Sequence, residues 1–361
     1  MQKSGRVIIV GAGIIGAALA YQLARAGRTV TVIGGGHATA TGSSFGWINA
    51  SFFLDEDHHR LRAEGIAAWQ RLADVVGEQV QWSGCLCWDM PPDALAATHA
   101  RLGDLGYPTQ LLDAAEVARK EPALRDMPQA ALLFPSEGAA MSGDVPARLM
   151  AAAQAQGARL IRDVQVQRVV QMDDGSAGVE TPVGVLMADQ VVIAAGTGSQ
   201  RLAETVGGQV PLVHRPAYIL RSQPVAPILR HILASPIGEI RQEPNGQLLM
   251  PAAVNHQGDT SDRLTDDPVT VADAAMGRLR HLVAGIDSLD WAEVAYAERP
   301  VPADGKPIVG RIAAGVYTAC LHSGITLGPI VAELACKDLT GQLDNAGAAL
   351  LAPYRPERFS A

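Results

Sequence analysis

The stretch "VIIVGAGIIGAALAYQLARAG", Val7 to Gly27, decides the fold. Val7 to Val10 is a short β-branched run of the kind that is buried on both faces of a parallel sheet. Gly11, Gly13 and Gly16 then interrupt the chain at GxGxxG spacing. The first permits a tight turn, the second lets a pyrophosphate approach the backbone, and the third lets the following helix pack closely on the strand. The Ala-rich segment beginning at Ile14 supplies that helix, whose N-terminal amides and macrodipole favour phosphate charge. After Gly27, "RTVTVI" (Arg28 to Ile33) supplies the next strand. GxGxxG alone is weak evidence, but strand, glycines, helix and second strand in this order read as a dinucleotide-binding βαβ unit. Lys3 and Arg6 before the apolar run Val7 to Ala20 also have the outline of a signal peptide. The glycine spacing, followed by Tyr21, Gln22 and Arg25, fits a strand turning into a helix better.

In such a unit an Asp or Glu is expected at the end of the second strand, where it holds the cofactor ribose. Here that place belongs to Gly34, within "VIGGGHATATGSS" (Val32 to Ser44), and no acidic residue precedes Asp55. Backbone amides of Gly34, Gly35 and Gly36, or the side chain of His37, are the substitutes within the unit. Loss of one charged ribose hydrogen bond should cost on the order of 1.5–3 kcal/mol. The expectation is a cofactor held more loosely than usual, and tightened by Gly34→Glu.

A chain of 361 residues, 48% hydrophobic and 18% charged, is globular and long enough for two domains. The net charge of −8, without clustered Lys and Arg, argues against a nucleic-acid surface and leaves small molecules as the expected partners. Cys85, Cys87, Cys320 and Cys336 are too few and scattered for a disulfide framework, which fits a reducing cytoplasm. The C-x-C of Cys85 and Cys87 has no companion pair, and Cys320 stands near His322 without further ligands, so no metal site is expected. Nor is a transmembrane span.

Further along, a helix is expected from about Leu61 to Val76, and "QVQWSGCLCWDM" alternates like a strand. Another helix is expected from Asp144 to Gly157. "ARLIRDVQVQRVVQM" and "GVLMADQVVIAAGTGS" then return to strands of the first type, as if the nucleotide domain resumes after an insertion. The segment from Val210 to Met250 is strand-like and Pro-punctuated, with a hairpin signal at Asn245-Gly246. A helix capped by Thr270 and the strand "WAEVAYAERP" precede the final block.

The order of these motifs resembles the FAD-dependent D-amino-acid oxidase family, in particular its glycine oxidase and sarcosine oxidase branch and related D-amino-acid dehydrogenases. Four blocks carry it: the opening stretch, "GARLIRDVQVQRVV" with "ADQVVIAAGTGS", "ERPVPADGKPIVG", and "LHSGITLGP". The resemblance implies an α/β fold, a Rossmann-type FAD-binding domain with an interleaved α+β substrate domain built on an antiparallel sheet. The first takes residues 1–77, 141–208 and 300–345, the second 78–140 and 209–299, leaving 346–361 as a tail. It implies bound FAD, a small amine or amino-acid substrate (a D-amino acid, glycine, or an N-alkyl or cyclic amino acid), and O2 or an electron carrier as reoxidant. The C–N bond would be oxidised to an imine by hydride transfer to flavin N5. Homo-oligomerisation stays open.

Residue by residue, Gly11, Ala12, Gly13, Ile14 and Gly16 would receive the pyrophosphate. Thr41, Ser43 and Ser44 match the segment beneath the phosphates, placing Gly46, Trp47 and Ile48 near the isoalloxazine. Val166 would read adenine through its backbone, and Ala195 and Gly196 end the strand that passes the cofactor. Gly324, Ile325 and Thr326 open a helix whose amides would stabilise negative charge on a reduced flavin. Arg299 would clamp a substrate carboxylate, or else be a structural arginine paired with Glu298 or a surface carboxylate. His322 is either an acid or base near the flavin or an ordered turn histidine. A tyrosine that the family uses for the carboxylate is replaced here by Glu239, with Arg241 two residues on. Glu239 and Tyr218 are the further candidates for the substrate pocket. Two alternatives remain: another flavin- or NAD(P)-dependent enzyme on the same nucleotide fold, or a non-catalytic protein that has lost tight cofactor binding.

Overall fold

The opening stretch folds as its pattern requires in the computed structural model, which describes residues 5–34, 39–254 and 258–359. The first strand is Arg6–Val10, the helix Ile14–Arg25, and the second strand Thr29–Ile33, parallel to the first with Val10 beside Ile33. The strands are apolar on both sides because both faces are covered. Val7 and Ile9 face the core that includes the helix residues Leu19 and Leu23. Ile8 and Val10 face Val169 and Val179 of a separate three-stranded antiparallel sheet, Arg168–Gln171, Ala177–Thr181 and Gly184–Ala188.

The central sheet has six strands in the order Ile308–Ala313, Val316–Cys320, Gln190–Ile193, Arg6–Val10, Thr29–Ile33 and Arg159–Ile161. All neighbours are parallel except the first pair. The strand order reverses beside Arg6–Val10, where open α/β sheets bind ligands beyond the carboxyl ends of their strands. A second, eight-stranded sheet runs from Trp291–Glu298 and Pro216–Ser222 to Gln110–Asp113. Its pairs are antiparallel except Ile232–Ser235 against Cys85–Cys87. The helix Pro268–Leu282 shares a core with this sheet, through Met276 and Leu279 against Leu220 and Leu248.

Several element boundaries differ from the sequence reading. The helix expected from Leu61 starts earlier, as Glu56–Arg71, because Asp55 caps it by accepting from His58 N; Ala73–Val76 is a separate turn. Asp267, not Thr270, caps the later helix: it accepts from the amides of Val269 and Thr270, and Pro268 takes the first helical position. "ARLIRDVQVQRVVQM" is two strands, Arg159–Ile161 and Arg168–Gln171, in different sheets. "GVLMADQVVI" divides likewise, into Gly184–Ala188 and Gln190–Ile193. The hairpin at Asn245-Gly246 forms, with Gly246 at φ +89. Among the described residues no helix is long and apolar enough to cross a membrane.

Candidate cofactor and substrate site

The glycine turn is fixed by close approach. Gly11 has φ +116, and a Cβ there would stand 2.1 Å from Ala194 O; one at Gly16 would stand 1.9 Å from Gly11 O. Gly13 offers no capping side chain to the helix it precedes. Thr41, arriving from the crossing segment, accepts instead from Ile14 N at 3.2 Å.

Above this turn opens a cavity of about 840 Å³, within the roughly 300–1,000 Å³ range of ligand pockets. Its wall brings together Gly11, Ala12, Gly13, Ile14, Gly34, Thr41, Ser43, Ser44, Gly46 and Trp47 with Val166, Ala195, Gly196, Arg299, His322, Gly324, Ile325 and Thr326. Gly16 and Ile48 are not on the wall; Gly16 is packed beneath the turn and Ile48 is fully buried. Gly35 and His37 lie outside the described residues. Tyr218 is not a lining residue, though its strand neighbours Ala217 and Ile219 are; it stands edge-on to Tyr296, which is on the wall, with centroids 6.0 Å apart. Glu239 is buried in its strand opposite Ala234 and is not a lining residue.

The segment beneath the cavity is tied down at every step. Ser43 Oγ donates to Tyr296 O at 3.2 Å, and Ser44 Oγ accepts from Gly46 N at 3.1 Å. Buried Arg241 donates to Phe45 O at 2.5 Å and to Glu243 at 2.8 Å. Gly46 is at φ +81, and a Cβ there would meet Ala140 O at 2.3 Å.

At the far end, the helix Gly324–Leu339 begins behind Ser323, a left-handed residue at φ +57. Thr326 Oγ1 donates to Trp47 O at 3.0 Å and accepts from Asn49 N at 3.3 Å. Trp69 Nε1 donates to Ile325 O at 2.8 Å. Gly324 and Gly328 pack this helix against Ile14 of the first, so two helix N-termini face one cavity. That arrangement fits FAD: one terminus for the pyrophosphate, the other for an electron-rich flavin edge, and glycine where side chains would intrude.

Two groups near that end escaped the sequence reading. Glu137 is fully buried and accepts from Trp47 Nε1 (2.9 Å), Tyr107 OH (2.9 Å), Ala50 N (3.3 Å) and Ser51 N (3.1 Å). Burial pushes its carboxyl up to about 7, against the pull of these donors. Arg62, on the cavity wall, donates through Nε to Asn49 O at 3.0 Å and through Nη2 to the Asn49 side chain; burial lowers it to about 10. In sequence Glu137 is one acidic residue in the turn-like "PSEGAA", with no spacing signal to mark it.

Arg299 does not pair with Glu298. Its Nη2 lies 2.9 Å from Asp259 Oδ2, and its Nε donates to Arg215 O at 3.2 Å. Burial lowers its pKa, and Asp259 opposes that shift. His322 Nδ1 lies 3.3 Å from Ser323 Oγ.

An open parallel sheet, a glycine turn at its point of strand reversal and two helix N-termini on one elongated cavity define a dinucleotide-binding flavoprotein fold. The family is specific: residues 6–337 match the FAD dependent oxidoreductase (DAO) family, and the chain belongs to it. It is an FAD-dependent oxidoreductase. The chain is 26% identical to glycine oxidase from Geobacillus kaustophilus, over 94% of each protein. It is 28% identical to 4-methylaminobutanoate oxidase (formaldehyde-forming) from Paenarthrobacter nicotinovorans, over 63% of this chain and 29% of that one. The crystal structure of the Geobacillus kaustophilus glycine oxidase superposes with a TM-score of 0.85 at 25% identity, over 98% of this chain and 99% of the other.

Proposed function

We propose that this enzyme oxidises the C–N bond of a small amine or amino acid to an imine, with Arg299 holding a substrate carboxylate. The observation that carries the reading is the place of Arg299: an arginine on the wall of the same cavity that the start of the Gly324–Leu339 helix lines. A planar fork there binds a carboxylate bidentately and fixes the direction in which the substrate's C–H bond points. Asp259 already sits on Nη2, so an incoming carboxylate takes over a bond that the protein itself makes. Trp47 and Ile325 are buried apolar side chains on the same wall. Bound FAD supplies the two-electron acceptor, and O2 or an electron carrier restores it. The substrate loses hydride from carbon and a proton from nitrogen, and water hydrolyses the resulting imine to an oxo acid and an amine. The substrate range includes D-amino acids, glycine, and N-alkyl or cyclic amino acids; the names of two similar proteins point to glycine and to an N-methylated amino acid.

The test is anaerobic bleaching of the flavin band by a panel of D-amino acids, glycine, N-methylglycine and cyclic imino acids. Bleaching by at least one member, weakened in Arg299→Ala through a higher apparent dissociation constant, is expected. A flavin-loaded enzyme that no member bleaches, or an Arg299→Ala variant of unchanged affinity, removes the reading.

A further inference from the structure

We propose that Asp163, just past the end of the strand next to the nucleotide-binding unit, supplies the carboxylate for the adenosine ribose that Gly34 cannot. The inference rests on FAD being the cofactor and is independent of the proposed substrate.

Among the described residues of the unit, the vacant position offers no carboxylate. Gly34 carries no side chain, and its amide is spent on Ile161 O at 3.1 Å. That same bond shows where a replacement comes from. Strand Arg159–Ile161 lies parallel against Thr29–Ile33 with Ile161 beside Ile33, so the two strands end at one edge. Parallel neighbours run about 4.8 Å apart, and the residues just past Ile161 stand beside the vacant position. Asp163 is two residues past it, and both Asp163 and Gly34 line the cavity.

Three further observations point to a ligand at Asp163. Its backbone is left-handed, φ +57, a conformation that aspartate adopts more readily than most non-glycine residues and that recurs at ligand clamps. Among the described residues no hydrogen bond or ion pair engages its side chain, so the carboxylate is free to accept. On the same wall Val183, in the hairpin turn of the three-stranded sheet, is 80% exposed, an apolar side chain left to water unless a flat apolar group such as adenine covers it. Val166, three residues past Asp163, lines that wall too.

The readout is binding, not turnover. The dissociation constant of FAD is measured by fluorescence on apoprotein of the wild type and of Asp163→Ala, Asp163→Asn and Asp163→Gly, each against FAD and against analogues carrying 2′-deoxy- or 3′-deoxyadenosine. A charge-assisted bond predicts that Asp163→Ala weakens FAD by about tenfold or more. It also predicts that the wild type rejects at least one deoxy analogue and that Asp163→Ala does not. Asp163→Gly fits φ +57 without strain, so its apoprotein should melt no lower than the wild type while losing the same affinity. Equal FAD affinity in wild type and Asp163→Ala overturns the proposal. So does discrimination against the analogues that survives the substitution, or an Asp163→Gly variant that binds as tightly as wild type.

Discussion

Arg299, on the wall of the cofactor cavity, holds its Nη2 2.9 Å from Oδ2 of Asp259, a residue 40 positions away in the chain. Burial favours the neutral forms of both; Ser261 and then Arg299 hold the Asp259 carboxyl below its usual range, and Asp259 opposes the lowering of Arg299. The pair is therefore a competitor for any anion that binds Arg299. Asp259→Ala should lower KM for carboxylate substrates by about three- to tenfold at nearly constant kcat, whereas Arg299→Ala should raise KM by about ten- to a hundredfold. Steady-state kinetics on the two variants checks the opposed signs; a rise of KM in both shows that Asp259 positions Arg299 instead of competing for it.

Glu137 makes stability depend on pH. Its folded-state pKa of about 7 lies above the ordinary 4.5, so the folded protein binds this proton more tightly than the unfolded chain. The contribution is present in full below pH 4.5 and is lost as pH rises through 7, an effect on the order of 3 kcal/mol. Glu137→Gln cannot titrate. Its stability relative to wild type, from guanidinium midpoints at pH 5 and pH 8, should improve towards the higher pH; a constant difference would show that the four donors keep Glu137 ionised throughout.

Thr326 joins the flavin-end helix to the crossing segment. Thr326→Val keeps the shape but removes both the bond to Trp47 O and the acceptor for Asn49 N, each buried. A loss of about 2–3 kcal/mol is expected, seen as a fall of several degrees in the apoprotein's melting temperature. No fall would mean that water or a shifted neighbour replaces the hydroxyl.

Gly34→Glu should not tighten FAD. Gly34 is at φ +155 and a Cβ there would lie 3.0 Å from Ala12 N, so the side chain enters against the glycine turn. This reverses the expectation drawn from the sequence, where the position looked merely vacant. The variant should bind FAD more weakly than wild type and lose about 1–3 kcal/mol of stability; equilibrium dialysis with FAD decides between the two expectations.

The opening βαβ unit was legible because its signals are local: β-branched strands, glycines at fixed spacing and one helix. The crossing segment, the Arg299 block and the Gly324 helix were legible through family resemblance, and they do meet on one cavity. What sequence could not show is which distant residue sits opposite which. Asp259 reaches Arg299 from a loop with no pattern, and Glu137 looks like a surface turn until Trp47 and Tyr107 close over it. Tyr218 shows the limit of alternation: period two says that it and Ala217 face apart, but not which of them faces the cavity. Strand boundaries failed where one apolar run fed two sheets, as at Arg159–Gln171.

The packing of Gly324 and Gly328 on Ile14 has a consequence for biosynthesis. The first strand leaves the ribosome early, but its partner on one side is Gln190–Ile193, and the strand beyond that is Val316–Cys320. The helix that completes the cavity follows later still. Closing contacts across some three hundred residues delays the final assembly relative to local helix formation. FAD should therefore be captured after most of the chain has been translated, and flavin uptake by nascent chains would time the moment at which the two ends of the polypeptide meet.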